Sequence, residues 1–134
     1  MNEHLLLITF WVWLLELVVA TLNAILIVKI YRPRFGELRA HQIGMTTRIL
    51  YLFVFAYFIL YFAKSYTTPD LLYAGIFWML LILVFEWGGS ALMRRPIHEI
   101  LVGWHVNKGY MWPYVLLTYL LSPLIVGSLL HPNR

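Results

Sequence analysis

Four stretches of the chain consist mainly of apolar residues, and most of the charged residues lie between them. A bilayer hydrocarbon core of roughly 30 Å takes about 20 helical residues to cross, which is close to the length of each stretch. Because lipid offers no hydrogen-bond partners to the backbone, each stretch is predicted to form a helix. The predicted helices cover residues 5–30, 46–63, 71–93 and 111–130.

The pattern therefore predicts an all-α fold, that of a polytopic membrane protein with four transmembrane helices. Composition supports this class, since 62% of the residues are apolar and 12% are charged, against about half and a quarter in soluble domains. The connections are too short for a separate soluble domain, so residues 1–134 are expected to form a single transmembrane domain. The lack of cysteine excludes disulfides and thiolate metal ligands.

Basic residues are distributed unevenly among the connections. Residues 29–48, around the predicted first connection 31–45, contain five Lys and Arg residues, and the third connection 94–110 contains three. The second connection contains only Lys64. Basic connections are retained in the cytoplasm, so both termini are expected on the outer, periplasmic side. The same bias accounts for the net charge of +4, and nucleic acid is not expected as a partner because no polar surface is large enough.

The third connection is predicted to contain a short helix at the membrane interface. Apolar residues at positions 97, 100, 101 and 104 recur at helical spacing, and Pro96 suits a first helical turn. Five polar side chains of this connection either face solvent at the interface or bind a lipid headgroup or a metal ion: Arg94, Arg95, His98, Glu99 and His105. A zinc site needs three or four clustered ligands, and the i, i+4 histidine pair typical of one is missing, so any metal is unknown.

Two carboxylates, Glu16 and Glu86, lie inside apolar stretches. An ionisable group at such depth is costly and normally faces the bundle interior or a water-filled cavity. Each belongs to a line of polar or small residues at helical spacing, which is predicted to face the other helices. The first line is Thr9, Trp13, Glu16, Ala20 and Asn23, and the second is Gly75, Met79, Ile82, Glu86 and Gly89 or Ser90.

These carboxylates have two interpretations. At a rise of about 1.5 Å per residue, Glu86 lies at a depth between those of Glu16 and Asn23 if the first and third helices touch. Oxygen ligands at neighbouring depths suit a proton or a small hard cation, so these three residues form a candidate binding site. The alternative is structural, with a buried ion pair between Arg48 and Glu86. A protonated Glu16 would then bond to one of Asn23, Thr118 or Tyr57.

Three stretches of the sequence occur in a distinctive order. They are residues 32–42 (RPRFGELRAHQ), residues 85–88 (FEWG), and residues 109–113 (GYMWP) followed by 122–124 (SPL). In this order they resemble a group of small four-helix bacterial inner-membrane proteins of unknown activity. The resemblance covers nearly the whole chain and implies an inner-membrane location, but it assigns no functional residue.

Three functional hypotheses remain. The leading one is a proton or small-cation binding or transport protein, surrounded by the lipid bilayer and forming its path between protomers of a homo-oligomer. The second is an accessory or structural subunit that docks a larger membrane-protein partner. The third is an enzyme that acts on lipid headgroups through the third connection. An enzyme is less favoured, and no cofactor is expected, because nucleophile, phosphate-loop and redox motifs are missing.

Overall fold

Each apolar stretch forms most of one long helix in the computed structural model, which describes residues 3–63, 66–94, 96–97 and 101–130. The all-α prediction with four long helices is confirmed, and all four helices are long and apolar enough to cross a membrane. The first and fourth helices each pack against both the second and the third, so the four form a ring. The helices are Glu3–Leu26, Glu37–Ala63, Thr68–Leu92 and Trp112–Leu130.

The predicted first connection is almost entirely helical. The first helix continues through a wider π-helical turn, Ile27–Tyr31, into a short helix, Arg32–Phe35. The chain then reverses at Gly36, whose φ of 86° is readily available only to glycine. The second helix begins at Glu37, nine residues before its predicted start, because hydropathy marks where a helix enters lipid and not where its hydrogen bonds begin.

The third helix begins at a capping box. The Thr67 side chain accepts a hydrogen bond from the Asp70 amide, and the Asp70 carboxylate accepts one from the Thr67 amide. These reciprocal bonds satisfy amides that the first helical turn would otherwise leave without partners. The helix therefore has a well-defined start next to the short second connection.

The third connection is tied to the N-terminal part of the second helix. His41 Nε2 accepts a 2.9 Å hydrogen bond from the amide of Met111, and Gln42 Nε2 donates a 3.0 Å bond to the carbonyl of Gly109. Two 3₁₀ turns, Val102–Trp104 and Val106–Lys108, precede these contacts. The predicted interfacial helix depends on apolar positions 97, 100, 101 and 104. Residues 98–100 of that span lie outside the described residues, and Val102–Trp104 forms a 3₁₀ turn, so the helix stays a prediction.

The few polar side chains of the apolar stretches lie inside a mainly hydrophobic core, and the outer surface of the bundle is apolar. Thr9, Glu16 and Asn23 of the first helix are buried, as are Gly75 and Ser90 of the third, which confirms that both predicted lines of polar and small residues face inward. Large apolar side chains cover the outer surface instead, for example Leu15, Val18 and Val84. This distribution brings the few polar groups into contact with one another.

Candidate functional site

Glu16 lies at a buried contact between three helices. It is fully buried near the middle of the first helix. The Tyr119 hydroxyl, on the fourth helix, donates a 2.8 Å hydrogen bond to Glu16 Oε1. Arg48 Nη2, on the second helix, lies 3.5 Å from the same oxygen and donates a 2.6 Å bond to the Tyr119 hydroxyl. We refer to Glu16, Arg48 and Tyr119 as the Glu16 cluster.

Arg48 supplies the positive charge of this cluster. Its side chain is only 11% exposed, and its guanidinium carbon lies 5.1 Å from the ring centroid of Trp112 and 5.5 Å from that of Tyr119. A planar guanidinium stacks well on aromatic faces and is more weakly hydrated than an ammonium. The ion pair and the two rings together therefore offset part of the cost of burying the charge.

The cluster retains hydrogen-bonding capacity that its own members do not use. Glu16 Oε2, Arg48 Nε and the Tyr51 hydroxyl are buried, and none of them makes a well-formed hydrogen bond within the described chain. Tyr51 nevertheless interacts electrostatically with both Glu16 and Arg48. Tyr51 therefore adds a fourth polar side chain, with a buried hydroxyl, next to the Glu16 cluster.

Trp112 connects Glu86 to the Glu16 cluster. Its indole Nε1 donates a 2.9 Å hydrogen bond to Glu86 Oε2, while Arg48 lies over its ring. With this link, all four long helices contribute a side chain to one polar region. In the structure, Arg48 forms its ion pair with Glu16. The predicted Arg48–Glu86 pair therefore contains the correct arginine but not the carboxylate with which it pairs. Sequence fixes the depth of a residue but not the rotation of its helix.

Asn23, the third member of the predicted ligand set, has a separate role. It is buried, and its Nδ2 donates a 3.0 Å hydrogen bond to the carbonyl of Gly44. This bond joins the first and second helices about two turns from Glu16. The structure thus gives each of the three predicted oxygen ligands its own polar partner. The partners predicted for a protonated Glu16 also differ from Arg48 and Tyr119, its partners in the structure.

The sequence pattern singles out neither Tyr119 nor Trp112 as a site residue. One signal was available, because the two residues are seven positions apart and therefore share a face of the fourth helix. That face contacts both carboxylates.

A groove opens between the first and third helices beside the cluster. Its inner cavity has a volume of about 380 Å³ and is lined by Arg48, Glu86 and Trp112 together with small residues of both helices. An adjoining cavity of about 540 Å³ lies along the middle of the third helix and is lined only by apolar side chains. Phe85 lines both cavities, so they adjoin, and the charged side chains Arg48 and Glu86 lie in only one of them.

The polar residues of the third connection are only partly described. Arg94 and His105 are exposed, and Arg94 follows the third helix in a left-handed conformation with φ 54°. Arg95, His98 and Glu99 lie outside the described residues, so a headgroup or metal site formed by this set stays a prediction. Among the residues that are described, no group of three or more His, Asp or Glu side chains is placed to hold a metal ion.

Comparison with models of protein families, with curated proteins and with solved structures finds no match for this chain. The inner-membrane resemblance therefore stays a prediction, and functional inference rests on the geometry of the Glu16 cluster and the groove.

Proposed function

We propose that the chain is a multi-pass protein of a bacterial inner membrane, with both termini on the periplasmic side. Four helices of sufficient length and apolarity support the membrane location. The excess of Lys and Arg in the first and third connections supports the orientation. In this arrangement the third connection, including its interfacial helix, lies against the cytoplasmic leaflet. Expected partners are the lipid bilayer and either further copies of the chain or another membrane protein.

Within this setting we propose that the protein binds and transfers protons through Glu16 and Glu86. The observation that carries the proposal is the position of Arg48, which pairs with fully buried Glu16 and lines the groove that also contains Glu86. One guanidinium thus lies in the same polar region as two carboxylates inside an apolar bundle. Such an arrangement is sensitive to the protonation state of either acid, because a buried charge depends strongly on its neighbours.

The same geometry favours a proton over a metal cation. A hard cation such as Mg²⁺ or Ca²⁺ requires about six or more oxygen ligands, whereas Glu16 Oε1 is already occupied by Tyr119 and Arg48. The guanidinium 3.5 Å away would also repel a second cation. A proton needs only one acceptor atom, and Glu16 Oε2 makes no well-formed hydrogen bond within the described chain.

In the proposed proton-transfer step, Arg48 changes its ion-pair partner. Protonation of Glu16 removes the negative charge that holds the guanidinium, so Arg48 becomes free to turn toward the groove and Glu86. Loss of the proton restores the original pair. Glu86 lines the open groove and would exchange protons with it, while Glu16 stores the proton inside the bundle. Asn23 contributes by holding the first helix against the second through Gly44.

The proposal is tested with purified protein in liposomes carrying a pH gradient and an internal pH-sensitive dye. Wild-type protein is expected to dissipate the gradient. Glu16→Gln and Glu86→Gln are each expected to lower the initial rate by about 100-fold or more, as for loss of an essential acid–base group. Glu37→Gln, which changes an exposed acid at the start of the second helix, is the matched control and should leave the rate unchanged.

Circular dichroism and gel filtration of each variant separate loss of flux from loss of folding. The proposal fails if the folded wild-type protein moves no protons. It also fails if folded Glu16→Gln and Glu86→Gln both move protons at the wild-type rate.

The structure also supports the accessory or structural hypothesis through one specific observation. The polar region formed by Glu16, Arg48, Tyr119, Trp112 and Glu86 joins all four long helices. Such a region would fix helix register even in a protein with no transport activity. This alternative predicts that the chain co-purifies with a second membrane protein from its native membrane and that the chain purified alone moves no protons. Proton flux by the chain alone would exclude it.

A further inference from the structure

The groove between the first and third helices has two parts, which we call the polar cavity, because it contains charged side chains, and the apolar cavity. The polar cavity lies toward the end of the third helix at Leu92 and contains Arg48 and Glu86. The apolar cavity lies toward the middle of the same helix and is lined by Trp13, Leu80 and Val84 among others. A ligand that fills both must carry a charged or polar group at one end and a hydrocarbon chain at the other.

We propose that this groove binds one phospholipid with a zwitterionic phosphoethanolamine head, its phosphate at Arg48, its ammonium at Glu86 and an acyl chain in the apolar cavity. This site goes beyond the proton function and does not depend on it. The order of the two cavities matches a lipid of the leaflet near Leu92, because the head then points toward the membrane surface and the chain toward the bilayer centre.

The length of the groove agrees with such a ligand. Residues of the third helix that line the two cavities run from Phe77 to Met93, which corresponds to about 24 Å along a helix. One leaflet including its headgroups is about 20–22 Å thick, half of a 40–45 Å bilayer. The groove is therefore long enough for a head and most of one chain.

The charges that line the polar cavity complement both parts of the head. A guanidinium has five N–H donors, and the contacts of Arg48 with Tyr119 and Glu16 are made through Nη2. Glu86 lines the same cavity and carries the opposite charge, with Trp112 donating to its Oε2. Arg48 thus offers donors to a phosphate, and the negative charge of Glu86 attracts an ammonium. A singly anionic head such as phosphatidylglycerol would use Arg48 alone and meet the negative charge of Glu86.

Two neighbouring glycines provide a matched test of the site. Gly89 lines the polar cavity and Gly88 does not, and a Cβ atom at either position would meet nothing within 4 Å. Leucine at position 89 is therefore expected to fold normally while filling the cavity. Leucine at position 88 adds the same apolar volume outside it.

Binding is measured by native mass spectrometry of the purified full chain in detergent, titrated with dioleoyl-phosphatidylethanolamine or dioleoyl-phosphatidylglycerol. Wild-type protein is expected to retain one phosphatidylethanolamine, with a Kd about tenfold below that for phosphatidylglycerol. Gly89→Leu should raise the Kd for phosphatidylethanolamine about tenfold, and Gly88→Leu should stay within about twofold of the wild type. Glu86→Gln should abolish the preference between the two lipids.

Equal affinity of Gly89→Leu and Gly88→Leu would show that lipid binds elsewhere on the bundle and would overturn the site. Equal affinity of the wild type for the two lipids would overturn the assignment of the head. Proton flux of Gly89→Leu, measured in parallel, distinguishes the two proposals, because loss of lipid with retained flux leaves the proton function standing.

Discussion

Tyr119 is the residue on which the pairing of Glu16 and Arg48 depends most directly. Its hydroxyl donates to Glu16 and accepts from Arg48, so a single oxygen connects three helices. Its ring packs edge-on against Trp78, with the ring centroids 5.0 Å apart. Both aromatic side chains are fully buried. The ring is therefore held by packing, and the hydroxyl acts as a fixed bridge within the Glu16 cluster.

Tyr119→Phe is expected to lower the free energy of unfolding by about 1–3 kcal/mol, because it leaves buried charged groups without a hydrogen-bond partner while the ring packing is retained. The measurement is the thermal or SDS unfolding midpoint of the purified protein in detergent. Tyr57→Phe, at an exposed tyrosine of the second helix, is the control and should have little effect. Equal stability of Tyr119→Phe and wild-type protein would show that the bridge contributes nothing.

Sequence alone identifies the charged members of this site but not their pairing. Glu16, Arg48 and Glu86 are conspicuous because ionisable residues are rare and costly in apolar helices. Their partners depend on how each helix is rotated and on which helices are neighbours, and neither follows from one sequence. Tyr119 gives no such signal by itself, since tyrosine is common in membrane segments and costs little there.

Close packing of the third and fourth helices depends on Gly75. A Cβ atom at this position would overlap the backbone carbonyl oxygen of Leu120, which cannot move without displacing the fourth helix. Tyr119 immediately precedes Leu120, so the same approach positions the hydroxyl of the Glu16 cluster. A small residue at a helix contact thus determines the geometry of a polar site on the neighbouring helix.

Gly75→Ala is expected to lower the free energy of unfolding by about 1–3 kcal/mol through overpacking of this contact. Gly88→Ala, on the same helix but with open space around its Cβ position, should leave stability unchanged or raise it by up to about 1 kcal/mol through helix propensity. Unfolding midpoints of the two variants in the same detergent provide the comparison. Equal stability of the two alanine variants would show that the third and fourth helices are not closely packed at Gly75.

Hydropathy predicts that a helix is present more reliably than it predicts where the helix begins and ends. The apolar stretches are separated by charged residues at positions 32–39, which the pattern assigns to a connection. In the structure these residues extend the first hairpin and leave Gly36 as the turning point. Charged side chains at a membrane surface favour water but do not oppose helical hydrogen bonding, so the hydropathy boundary and the helix boundary differ.

At the scale of the whole molecule, the apolar exterior and the burial of the few polar side chains would have the same cause in a bilayer. Lipid favours the apolar side chains outside, and the few polar groups are stable only where other helices supply partners. The distribution of apolar residues along the chain is therefore sufficient to predict the all-α class and the four helices. It does not predict the groove, because that depends on small residues such as Ala20 and Gly89 being on facing sides of two particular helices.

The distribution of basic residues predicts how the whole chain is oriented in the membrane. The chain contains no cysteine, so single-cysteine variants report their own position without background labelling. Thr68, the first residue of the third helix, and Asn107, in the third connection, are exposed at opposite ends of the bundle. In intact bacterial cells permeable only at the outer membrane, a membrane-impermeant maleimide should label Thr68→Cys and not Asn107→Cys. Asn107→Cys should be labelled only after the inner membrane is opened, and the cysteine-free parent should remain unlabelled. The reverse pattern would place the basic connections in the periplasm and move the polar end of the groove to the outer leaflet.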